Sequence, residues 1–110
     1  MATAYKILGQ SAPANTSNAD LYTVPASTSA IVSTIAITNT TASVANATVY
    51  IRKAGAAAST SNALVYSQAI PANATVTYTN GITLATTDVI TINTATSSAL
   101  TFQAFGSELS

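Results

Sequence analysis

Ala30-Ile31-Val32-Ser33-Thr34-Ile35-Ala36-Ile37-Thr38-Asn39 is the stretch that decides the fold. Drawn as an extended chain, it puts Ile31, Ser33, Ile35 and Ile37 on one side and Val32, Thr34, Ala36 and Thr38 on the other, a period of two rather than 3.6. Most of its residues are β-branched, which restricts them in a helix and suits them to a pleated surface. It runs into a polar turn at Asn39-Thr40-Thr41. The pattern predicts a central strand with one apolar face.

Outward from that strand the same grammar recurs. Tyr5 to Leu8 reads as a short strand closed by Gly9, placed at a sheet edge or reaching to a neighbouring subunit. Gln10 to Asp20, rich in Ser, Asn and Ala, reads as a loop, because such side chains compete for backbone hydrogen bonds. Leu21 to Val24 is extended and ends at Pro25, which lacks a ladder donor.

Thr48 to Arg52 alternates again and is expected to pair antiparallel with the central strand. Lys53 to Ser61 is rich in alanine but has no long apolar residue to anchor a helix face, so a loop with at most one helical turn is expected. In 62–70, Leu64, Tyr66 and Ile70 are in phase, and Gln68 breaks the pattern in a way that suits an edge. Val76 and Tyr78 share a face, Asn80-Gly81 predicts a hairpin turn to Ile82 and Leu84, and Val89 to Asn93 and Leu100 to Phe105 complete the set. Eight or nine short strands, separated by turns at roughly 8–12-residue spacing, predict an all-β fold. The expected architecture is a single antiparallel β-sandwich over 1–110, jelly-roll or immunoglobulin-like, with 1–10 as an edge strand or subunit-contacting arm.

Charged residues make up 5% of the 110-residue chain, against roughly 25% in an average soluble domain, and the formal net charge is zero. No field is available to steer nucleic acid or anionic lipid, so neither nucleic acid nor membrane is an expected partner. A surface of hydroxyls and amides lacks the repulsion that keeps monomers apart, which favours association. No stretch approaches the roughly 18 apolar residues of a membrane span, and the start of the chain lacks the pattern of a secretory signal.

The chain has no cysteine and no histidine. That removes the thiolate nucleophile, the usual general base and the common zinc ligands, so an enzyme is not expected, and no cofactor or metal is assigned. Asp20, Asp88 and Glu108 stand apart in sequence and read as turn or surface residues. Tyr5, Tyr22, Tyr50, Tyr66 and Tyr78 read as cross-strand packing and subunit contacts, with a carbohydrate platform as the alternative. Asn39-Thr40-Thr41 is one of several matches to a glycosylation acceptor pattern that chance supplies in so Asn- and Thr-rich a chain.

The stretches Ala4-Tyr5-Lys6-Ile7-Leu8-Gly9-Gln10-Ser11-Ala12-Pro13, Asp20-Leu21-Tyr22-Thr23-Val24-Pro25-Ala26 and Ile35-Ala36-Ile37-Thr38-Asn39-Thr40 resemble small virion proteins of tailed bacteriophages, notably those of cyanobacteria. Gly81-Ile82-Thr83-Leu84, Asp88-Val89-Ile90 and Phe105-Gly106-Ser107-Glu108 continue the resemblance. It implies a β-sandwich virion subunit without catalytic residues, made in the host cytoplasm. The expected role is a capsid decoration (cement) protein on the outer head surface. It would be a homo-oligomer, with a trimer as the expected number, bound to the major capsid protein or another virion protein. The alternative is a tail-associated or tail-fibre module that binds a receptor or glycan. The residues expected at the subunit or capsid interface are Tyr5, Lys6, Ile7, Leu8, Arg52, Phe102 and Phe105, acting through strand addition or an apolar patch.

Overall fold

The computed structural model describes residues 2–110; Met1, the first residue of the expected arm, lies outside the described residues. Nine strands form two antiparallel sheets: β1 (Thr3–Ser11), β2 (Ala19–Thr23), β3 (Ser29–Asn39), β4 (Ala45–Arg52), β5 (Ala63–Ile70), β6 (Thr75–Tyr78), β7 (Ile82–Leu84), β8 (Val89–Thr94) and β9 (Leu100–Leu109). The larger sheet runs β1-β9-β3-β6, with β7 also on β3, and the smaller runs β2-β8-β4-β5. Because β6 and β7 follow one another down the same edge of β3, they act as one interrupted strand. Counted so, the chain has eight strand rows in the orders 1-8-3-6 and 2-7-4-5, which is the jelly-roll layout. The sandwich expected from the sequence is this one, and β3 is an interior strand as its pattern required.

The pairing partners differ from expectation in two places. β4 is not the neighbour of β3. The turn after Asn39 carries the chain across to the other sheet, where β4 pairs with β8 and β5. Asn39 holds that crossover: its buried amide donates to the carbonyls of Ser43 (2.8 Å) and Ile70 (3.0 Å), and its carbonyl accepts from the Thr41 N–H (2.9 Å). Nor is Asn80-Gly81 a hairpin turn. Tyr78 pairs with Ile35 and Ile82 with Val32, so Thr79, Asn80 and Gly81 bulge against Thr34 and Ser33, with Gly81 supplying a φ of 70°.

That bulge belongs to a line of irregularities crossing the larger sheet. Ser33 is the extra residue of β3 against β9, between the pairs Val32–Gly106 and Thr34–Phe105. Leu8 is the extra residue of β1, between Ile7–Phe105 and Gly9–Ala104, so β1 continues through Gly9 to Ser11. An inserted residue reverses which side chains face inward. Ala30 and Val32 are therefore buried before the bulge and Ile35, Ile37 and Asn39 after it, while Ile31, expected inward, faces out. Bulges do the same to β5, where Val65 and Ile70 are buried and Tyr66, expected in phase with Leu64 and Ile70, is exposed. β5 is also the edge strand on which Gln68 finds its place.

The core lies between the sheets. Val24, Val32, Ile35, Ile37, Val49, Ile70, Ile90, Ile92, Leu100 and Phe102 are its large fully buried members. At one end the sheets are tied by a polar link. The Tyr22 hydroxyl of β2 donates to Glu108 Oε2 of β9 at 2.5 Å, and Lys6 Nζ of β1 lies 2.7 Å from Glu108 Oε1. The Lys6 ammonium first, and the Tyr22 hydroxyl second, hold the Glu108 carboxyl below its ordinary value of 4.5. A carboxyl whose folded pKa is depressed contributes stability that is complete above the unfolded value and is lost as pH falls through the folded one. The urea midpoint is accordingly expected to be level above about pH 5 and to fall below about pH 4.5. In Glu108→Gln that acid limb should flatten, and an unchanged limb would show that other groups carry it.

Candidate interaction surface

The bulge line sets the outer face of the larger sheet. Beyond it, β1 turns Tyr5 and Ile7 outward, β3 turns Ile31 outward and β9 turns Phe105 and Ser107 outward. In register, Tyr5, Ser107 and Ile31 form one cross-strand row, and Ile7, Phe105 and Thr34 form the next. Tyr5 is 85% exposed, Ile7 52% and Ile31 44%, and Phe105 is half-buried. Large apolar side chains standing together on one face, and not scattered singly, make that face the candidate contact surface.

Of the residues expected at an interface, this face gathers Tyr5, Ile7 and Phe105. The other four lie elsewhere. Lys6 is paired with Glu108, and Leu8, the bulge residue, packs against the core. Arg52 sits on the other sheet, its side chain only 22% exposed, where its guanidinium reaches Asp20 Oδ1 (3.2 Å), Thr91 Oγ1 (3.0 Å) and the carbonyls of Gly55 (2.9 Å) and Ala56 (2.6 Å). It clamps β2, β4 and β8 to the turn that follows β4. Phe102 is wholly buried. The expectation that it meets a partner fails because β9, late in the chain, is an interior strand between β1 and β3 and not an edge. Ile31 was missed for the opposite reason, since unbroken alternation points it into the core.

The edge of β1 is less suited to a partner than its face. Lys6 lies on the inward side of this edge strand and Leu8 bulges it, two devices that oppose edge-to-edge pairing. Of the two contact modes expected, the apolar patch has the better geometry. The tyrosines do not converge. Tyr22 is buried, Tyr78 packs on the core, Tyr5 is on the larger sheet, and Tyr50 and Tyr66 are on the smaller.

A concavity lies at the β4–β5 margin of the smaller sheet, an open groove of about 530 Å³ lined by Ile51, Lys53, Ala56, Ser61, Asn62, Ala63 and Leu64. No group of three or more acidic side chains able to hold a metal ion occurs among the described residues.

Comparison with known proteins adds one likeness. The chain is similar to a structure of infectious bursal disease virus, Gx strain. The TM-score is 0.45 at 12% sequence identity, over 97% of this chain and 30% of that one. A likeness of that degree says nothing about function. No protein-family model matches the chain, and no curated protein matches it.

Proposed function

We propose that this chain is a structural protein of a virion, a capsid decoration protein that sits on the outer head surface as a homo-oligomer and docks through the outer face of its larger sheet. The observation that carries the reading is the Tyr5–Ile7–Ile31–Phe105 face on a domain with few charges. Docking such a surface desolvates few ions and immobilises few long charged side chains, so modest contacts repeated by symmetry suffice. The resemblance of residues 4–13, 20–26 and 35–40 to small phage virion proteins supports the same reading, and jelly rolls are a fold of capsid and lectin domains alike.

Antibody labelling of intact particles tests it: label over the head supports decoration, label on the tail favours the tail-associated module, and particles without the protein overturn both. The Tyr5→Ser/Ile7→Ser double variant is expected to keep its fold, because both side chains face out from an edge strand. It should bind heads at least about tenfold more weakly, the equivalent of about 1.4 kcal/mol. Undiminished occupancy would remove this face from the contact.

A further inference from the structure

The loop 53–62 between β4 and β5 is held more firmly than its composition of alanine, serine and threonine suggests. Arg52 grips the carbonyls of Gly55 and Ala56 from below, and the Ala54 N–H donates to Asp88 Oδ1 at 2.8 Å. A capping box links Ser59 and Asn62, and the Asn62 amide also donates to the Ala57 carbonyl at 3.0 Å. Ala54 is kept at φ 52°, a left-handed conformation that alanine adopts at a cost and that the surrounding bonds must enforce. The result is a rigid wall for the groove over Ile51, Ala63 and Leu64. A wall already ordered loses little freedom when something binds against it.

The charges around this groove name its occupant. The chain has three basic and three acidic side chains. Lys6 is paired with Glu108 and Arg52 with Asp20, which leaves Lys53, at the groove, without an ion-pair partner among the described residues. The third acid, Asp88, is committed to the backbone N–H groups of Ala54 and Ala85, both at 2.8 Å. In a second copy each acidic side chain already has a cation or backbone N–H groups as its partner, so that copy matches Lys53 less well than a segment with an unpaired carboxylate. An apolar floor with one free ammonium at its rim calls for an aliphatic group that brings its own carboxylate.

We propose that the β4–β5 groove is a docking site for an aliphatic segment of another protein that carries a carboxylate, with the carboxylate meeting Lys53 and the apolar side chains lying over Ile51, Ala63 and Leu64. The site is on the sheet opposite the Tyr5–Phe105 face and does not depend on the virion reading. A homo-oligomer built on the outer face of the larger sheet can hold a different partner at this margin of the smaller one, where Ile51 and Leu64 border the core.

The test uses the full chain, isotopically labelled, and a capped pentapeptide of alanine and leucine with a central glutamate, beside the same peptide with glutamine. The glutamate peptide is expected to shift the amide signals of Ile51, Ala56 and Ser61 to Leu64. The glutamine peptide should bind about three- to fivefold more weakly, the range of one exposed charge pair. Lys53→Gln, at an exposed position, should leave the rest of the spectrum in place and abolish the difference between the peptides. Equal binding of both peptides to the wild-type chain, or shifts confined to the Tyr5–Phe105 face, would overturn the proposal. So would a sialylated oligosaccharide that shifts these residues where the peptide does not. Particle labelling reports on the virion reading separately.

Discussion

Phe102→Ala is expected to lower stability by about 3–5 kcal/mol, the range for emptying a fully buried aromatic site. Phe102 is at 0% exposure on β9, opposite Ile37 of β3 and Ser11 of β1, and belongs to the cluster that joins the two sheets. Its neighbours are held in ladders on both sides, so the walls have little freedom to collapse into the space. A domain of this size has about 5–15 kcal/mol in all. The urea midpoint, followed by circular dichroism, should therefore fall by about 2 M. A loss under about 1 kcal/mol would mean that the ring is not in the core and would reopen its place at an interface.

Gly106→Ala is the second large effect, and local propensity gives it the opposite sign. Inside a strand, alanine is ordinarily favoured over glycine by roughly 0.5–1 kcal/mol, since it loses less backbone freedom. Here a β-carbon would overlap the carbonyl oxygen of Ile31 and stand 3.0 Å from Val32 Cα. Both are backbone atoms of the adjoining strand beside the Ser33 bulge, so no side-chain rotation relieves the clash. Moving them disturbs β3, on which the larger sheet is centred. The expected net cost is about 3 kcal/mol, the upper part of the overpacking range. Denaturant titration decides it: a variant as stable as the parent would show that β3 and β9 are farther apart at this level than described.

The difference between what the residues announce and what the structure holds comes down to bulges and non-local pairing. The alternation of Ile35 and Ile37 was legible because apolar β-branched residues at a period of two have one comfortable environment. The reversal at Ser33 was not legible, since a serine inside a strand looks the same with or without an extra residue opposite it. Ile31 was misplaced by that step, and with it one corner of the candidate surface. Asn80-Gly81 was read as a hairpin because both residues tolerate positive φ, and the same tolerance serves a bulge. Tyr5 and Ile7 could be picked out from a short apolar strand near the start of the chain, whereas Phe102 was misjudged because closeness to an end in sequence does not mean closeness to an edge in space. The groove beside Lys53 had no local signal, for it depends on Arg52 reaching forward and on Asp88 arriving from 34 residues away.

The position of β9 between β1 and β3 also governs when the domain can close. A ribosome delivers β3 early, yet its full-length neighbour on one side is the final strand of the sandwich, so the middle of the larger sheet stays open until residues 100–109 emerge. Native pairing here is after-the-fact work by a finished chain and not stepwise accretion during synthesis, and such distant partnerships are slow to find. Until then the isoleucines of β3 are accessible to whatever else is nascent on the polysome, where many copies are made side by side.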